Sequence, residues 1–278
     1  MKATSFAYAR PASLHAALSL MAETDGTAKI IAGGQSLGPM LNLRLVEPDL
    51  IIDIAGLSEL KRAARIGDEL VIGACITHGD IEDGRIPDVT RGAMQRVAGA
   101  IAYRAVRNRG TIGGSLSHAD PAADWVSALS ALGAKLTLRS LAGARDLAIE
   151  QFVTGALESA LQPGEIVEAV RVPAMAASAR WGYVKACRKP GDFAHAIAAV
   201  LIDPEQATAR AVIGALNAAP IVLGDAAVLF GGRVTGDYKR QFDARAADAV
   251  LIKAGLTDMV DRHIHVEVLR RAVNEASA

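Results

Sequence analysis

The sequence predicts an α+β chain in two parts: a small parallel unit running into an antiparallel region, then a smaller α+β domain with a three-stranded antiparallel sheet. Three patterns carry this. Two short, nearly continuous apolar runs, Lys29 to Ala32 and Leu50 to Ile54, flank a stretch with helical spacing, which is how a parallel pair joined by a crossover reads. Two pairs of alternating segments, Arg62 to Ile66 with Glu69 to Gly73 and Lys135 to Arg139 with Arg145 to Ile149, meet across Gly67-Asp68 and Ala142-Gly143 as hairpins. Past the small, featureless run Ala174 to Ala179, three strand-like segments give way to helical patterns.

In chain order, Ser13 caps a first helix whose apolar positions Leu14, Leu18 and Met21 share one face, with Gly26 beyond its end. Gly33-Gly34 follows the first strand, and Met40, Leu41, Leu43 and Leu45 suggest a short helix before the second. That places a glycine turn at the carboxyl end of a parallel strand, where such sheets bind ligands. Thr77 and Asp80 stand three apart as a capping pair, and Met94, Val97 and Ile101 mark the next helix. Asp120 and Pro121 suit the cap and first turn of a helix over 121–132, with Val126, Leu129 and Leu132 on one face and Gly133 after it. Glu165 to Val172 is a strand ended by Pro173. Arg180 to Lys185, Ala194 to Ile202 and Ala207 to Ile213 then form the second sheet, and Arg240 to Ala254 and Arg262 to Ala276 the helices that cover it.

With 278 residues, 51% of them hydrophobic, the chain has ample material for real cores. Lys plus Arg equals Asp plus Glu at 30 each, so no net field favours nucleic acid or an anionic membrane. Met1 to Ser13 lacks the apolar core of a signal peptide and no apolar stretch is long enough to span a bilayer, so cytoplasmic residence is expected. Cys75 and Cys187 are expected as reduced thiols, and two cysteines are too few to hold an iron–sulfur cluster. His263 and His265, two apart on a helix, face different ways and read as surface residues rather than a metal pair. His78 and His118 have no nucleophile partner in the sequence, so neither a catalytic triad nor a metal site is assigned.

The chemistry concentrates between Asn108 and Trp125. Gly110, Gly113 and Gly114 lie there among hydroxyl side chains, as a backbone needs if it is to turn sharply and point N–H groups at an anion. Gly33-Gly34-Gln35-Ser36 repeats the pattern of Gly113-Gly114-Ser115 with its neighbouring hydroxyls, and the pair suggests a ligand with two phosphates held from both sides. Each tetrapeptide alone is also compatible with a plain tight turn. The Rossmann fingerprint and the P-loop pattern are both missing.

Ala32 to Leu37, Leu43-Arg44-Leu45 with Pro48, and Arg107 to Ser115 together resemble the FAD-binding medium subunit of the molybdenum hydroxylases, the family of carbon monoxide dehydrogenase and xanthine dehydrogenase type. The likeness continues through His118 to Asp124, Arg188 to Ala194 and Leu269 to Ala272. It implies a two-part FAD-binding domain of the vanillyl-alcohol oxidase (PCMH) type at 1–175, with subdomains at about 1–56 and 57–175, and a C-terminal flavoprotein domain at 176–278. By that resemblance, Ala32, Gly33, Gly34, Gln35 and Ser36, with Thr111, Ile112, Gly113, Gly114 and Ser115, hold the FAD pyrophosphate through backbone N–H groups. Ser117 and Asp124 hydrogen-bond the ribityl chain or flavin edge, and Lys185 approaches the isoalloxazine from the second domain. Phe193 stands where relatives carry an aromatic residue, often tyrosine, near the flavin. The resemblance also implies a large molybdenum–pterin subunit, a small subunit with 2Fe–2S clusters, a dimer of heterotrimers and an external electron acceptor. A stand-alone FAD-dependent reductase or oxidase of the same fold is the alternative, although the sequence offers no acid or base for a substrate pocket of its own.

Overall fold

In the computed structural model, which describes residues 2–276, β1 (Ala7–Ala9), β2 (Ala28–Ile31) and β3 (Leu50–Asp53) form a parallel sheet with β3 in the middle. The predicted parallel pair is therefore present with an extra edge strand, β1, too short for its alternation to register. Helix α1 (Leu14–Glu23) starts at Ser13, whose side chain accepts from the Ala16 N–H at 3.1 Å, and it buries Leu14, Ala17 and Leu18 against Ile52 and Ile54. Helix α2 (Leu37–Asn42) is the crossover between β2 and β3.

The next sheet is antiparallel throughout: β4 (Ala63–Ile66), β5 (Glu69–Gly73), β6 (Lys135–Ser140), β7 (Gly143–Ala148) and β10 (Ile166–Pro173), in the order β4-β5-β10-β6-β7. Both predicted hairpins are there, and β10 lies between them as the central strand; its burial on both faces explains the run of Val and Ile. Between β5 and β6 come α3 (His78–Glu82), α4 (Ala93–Ala100), α5 (Arg104–Arg107), α6 (Ile112–His118) and α7 (Asp124–Ala131). Thr77 caps α3 in a full capping box with Asp80, as its spacing predicts. After β7, α8 (Ile149–Phe152) leads to the small hairpin β8 (Val153–Gly155) and β9 (Glu158–Ser159).

Two helix starts differ from the sequence reading. The second glycine motif is not an open turn but the first turn of α6. Asp120 and Pro121 do not begin α7, which starts only at Asp124; Asp120 instead accepts from the Ala122 N–H at 2.8 Å and closes a local turn. Ala119, left-handed at φ 52°, ends α6 and turns the chain there.

The remaining residues form a four-stranded antiparallel sheet, β11 (Arg180–Ala186), β12 (Ala196–Asp203), β13 (Thr208–Gly214) and β14 (Ile221–Leu223). The three predicted strands are its first three members, and β14 adds a short edge. Then come α9 (Tyr238–Gln241), α10 (Ala244–Lys253) and α11 (Met259–Glu275). One face of the sheet meets α11 through Ala198, Val200, Ile202, Leu269 and Val273, with α10 packed on α11, while Trp181, Ala199 and Val212 on the other join the core around α7. That core runs unbroken from the five-stranded sheet into the four-stranded one. His265, on α11, is buried on the opposite face of the four-stranded sheet at 5% exposure, contrary to the surface position expected; it shares the face of Val268, Leu269 and Ala272, and its Nδ1 is 2.8 Å from the Asp261 carbonyl. His263 is exposed.

Candidate functional site

The first glycine motif leaves β2 and enters α2. Gly34 is left-handed at φ 71°, and Ser36, at the helix N-cap, makes no side-chain capping bond. The N–H groups of Gly33, Gly34, Gln35, Ser36 and Leu37 have no hydrogen-bond partner among the described residues, while the Gln35 amide donates back to the Gly33 carbonyl at 3.2 Å. A row of unpaired N–H groups around a left-handed residue is the material of an anion-binding nest.

The second motif behaves differently. Ile112 and Gly113 donate to the Ile76 and Ala74 carbonyls at 3.0 and 2.9 Å, Ser115 donates to the Thr111 carbonyl at 3.0 Å, and Gly114 donates to the Thr111 hydroxyl at 3.1 Å. All four amides are engaged: Ile112 and Gly113 hold α6 against the strand end, and Gly114 and Ser115 close its first turn on Thr111. A Cβ on Gly113 would lie 2.4 Å from that of Ala74, so glycine there serves close packing. The motif's exposed element is Gly114, and Ser117 turns its hydroxyl back onto the Gly113 carbonyl at 2.8 Å.

The two motifs meet. A Cβ on Gly33 would sit 2.1 Å from the Arg109 carbonyl oxygen and 2.8 Å from the Gly110 Cα, so the first motif packs directly on the Arg109-Gly110 backbone where Gly33 has no side chain. Arg107 fixes the approach: its guanidinium donates to both oxygens of Glu82, at 2.7 and 2.9 Å, and to the carbonyls of Ile101 and Ala102. The same guanidinium holds the Glu82 carboxyl below its ordinary range.

Lys185 and Asp124 are also brought together. The Lys185 ammonium, on β11, donates to Asp124 Oδ1 at 2.8 Å and to the Ala100 carbonyl at the end of α4 at 2.7 Å, with both charged side chains nearly buried. A carboxylate at the start of α7 and a cation at the end of α4 each suit the local helix dipole. Tyr183 donates to the same Asp124 oxygen at 2.7 Å, and its phenol is pushed well above its ordinary range, first by burial and then by the adjacent carboxylate. Its place in the cluster was readable from alternation, since it lies two residues before Lys185 and stacks on Trp181 at an interplanar angle of 2°. Phe193 lies apart, 74% exposed on the connection from β11 to β12, where Gly191 packs against the Tyr103 ring.

Residues 4–175 match the family described as the FAD binding domain in molybdopterin dehydrogenase. The chain belongs to this family. Members resembling it include the caffeine dehydrogenase subunit beta of Pseudomonas sp. (strain CBB1), 38% identical over 74% of this chain and 70% of that protein. The nicotine 6-hydroxylase medium subunit of Paenarthrobacter nicotinovorans is 33% identical over 100% of this chain and 99% of that one. Among solved structures, carbon monoxide dehydrogenase from Hydrogenophaga pseudoflava superposes with a TM-score of 0.89 at 32% identity, covering 99% of this chain and 98% of that chain. The flavoprotein of this molybdenum hydroxylase family is an oxidoreductase chain with FAD as its cofactor. Its residues fit that group: five free N–H groups and a left-handed glycine suit a pyrophosphate. Cys75 and Cys187 are both free, and among the described residues no cluster of His, Cys, Asp or Glu is placed to hold a metal ion and no helix is long and apolar enough to cross a membrane.

Proposed function

We propose that this chain is the electron outlet of a larger molybdenum hydroxylase, taking electrons from 2Fe–2S clusters in a small partner subunit and delivering them to an external acceptor. The large partner would carry molybdenum–pterin and oxidise the substrate, and a dimer of heterotrimers in the cytoplasm is the expected assembly. The observation that carries this reading is the contact of the two glycine motifs at Gly33 and Gly110, beside the free N–H groups of Gly33 to Leu37. FAD, when bound, supplies a carrier able to exchange electrons singly or in pairs.

In this reading Ala32 to Ser36 grip the pyrophosphate. Gly114 and Ser115 line it from the other side, while Thr111, Ile112 and Gly113 hold α6 in place. Asp124 and Ser117 belong to the ribityl or flavin end. Lys185 acts differently from a free cation, because Asp124 neutralises it; the pair presents a polar, nearly uncharged wall and ties the C-terminal domain, 176–278, to the FAD-binding domain, 1–175, with its subdomains at about 1–56 and 57–175. Phe193 would stand where relatives carry an aromatic residue near the flavin, with an exposed ring that donates no hydrogen bond. Purification from the native source tests the assembly: co-elution with two further chains, one bearing iron–sulfur absorbance, is expected, and substrate turnover by this chain alone would overturn it in favour of a stand-alone flavoenzyme.

A further inference from the structure

Behind the contact of the two glycine motifs lies His78, 4% exposed. Its backbone N–H donates to the Gly110 carbonyl at 2.9 Å, within a bridge that pairs Thr77 with Thr111. Its ring edge occupies the place a Gly110 side chain would take, since a Cβ there would lie 2.9 Å from both Cδ2 and Nε2. The Trp125 indole N–H donates to His78 Nδ1 at 3.0 Å, which leaves the ring proton on Nε2. Gly33 packs against the same Arg109-Gly110 backbone, at the Arg109 carbonyl and the Gly110 Cα. Trp125, His78, Gly110 and Gly33 thus form a chain of successive contacts.

We infer that His78 is a positioning residue of the dinucleotide site: its imidazole is the platform on which the Gly110 turn rests, and so sets the spacing of the two glycine motifs about the pyrophosphate. This rests on the FAD reading of those motifs. Burial, and after it the charge of Arg107, hold the imidazole at about 4, so the ring is neutral near neutral pH and needs no counter-charge in the core. The residue does not touch the ligand in this account; it acts through the backbone of Gly110.

The test uses the full chain freed of flavin, with FAD and ADP as probes and the melting temperature beside them. His78→Asn keeps an acceptor near the Nδ1 position for Trp125 and removes the ring under Gly110. His78→Phe keeps a ring and removes the acceptor. The expected result is that His78→Asn melts close to wild type yet binds FAD and ADP each about tenfold more weakly, equal losses because both carry the pyrophosphate. His78→Phe, by contrast, keeps both affinities but melts lower, because the buried indole N–H loses its partner. Wild-type affinities in His78→Asn, or a loss confined to FAD, would overturn the inference; if His78→Phe does not fold, His78→Asn decides alone. A wild-type chain that binds neither probe would overturn the FAD reading itself, and with it this inference.

Discussion

Gly33 is the residue on which the site closes most tightly. An added methyl would meet the Arg109 carbonyl oxygen at 2.1 Å, backbone against backbone, with no flexible side chain to yield. Gly33→Ala is therefore expected to destabilise by about 3 kcal/mol and to weaken FAD binding, read by chemical denaturation and flavin fluorescence. At Asp124 the test is coupling. Removing one partner of a nearly buried pair strands the other, so Asp124→Ala and Lys185→Met should each destabilise, while the double variant loses less than their sum by about 2 kcal/mol; additive losses would mean the pair contributes nothing. His78 carries the pH dependence. Its folded value, about 4, lies below the ordinary 6.5, so the unfolded chain binds the proton first as pH falls. The neutral ring carries no penalty above pH 6.5, but below it the chain loses stability progressively toward pH 4, about 3 kcal/mol in all, and His78→Asn should flatten that part of the stability profile while leaving stability near neutral pH unchanged.

At the scale of elements, the cap that starts α3 also anchors the glycine motif, because Thr77 pairs with Thr111 across an isolated bridge. Thr77→Ala should cost about 1 kcal/mol and lower the melting temperature by about 3 °C, whereas Thr77→Ser should recover most of it. Caps, hairpins and apolar strands of this kind were legible in the sequence because their signals are local. What was not legible has physical reasons. β1 and β14 are three residues long, too short for a period. The start of α6 was hidden because glycines usually break helices, whereas here they admit Ala74 to the first turn. Asp120-Pro121 matches both a helix cap and a free turn, and the left-handed Ala119 selects the turn. His265 was misplaced because its neighbour His263 drew the comparison, although spacing to Leu269 and Ala272 puts it on the buried face.

At the scale of the whole molecule, the motifs named the site but not its wiring. Lys185 and Asp124 stand 61 residues apart and Trp125 and His78 stand 47 apart, so their bonds depend on how the second sheet seats against α7 and how α7 seats against α3. The glycine motifs look alike in sequence, yet one leaves its N–H groups free and the other spends them on the strand end beneath it and on the cap of its own helix. Only the fold separates these cases. The measurement that tests the account most directly is the visible absorption spectrum of the full 278-residue chain, reconstituted with FAD and then desalted. The account predicts flavin absorbance that stays with the chain at about one flavin per chain. Flavin that washes away from a folded, colourless chain would contradict it.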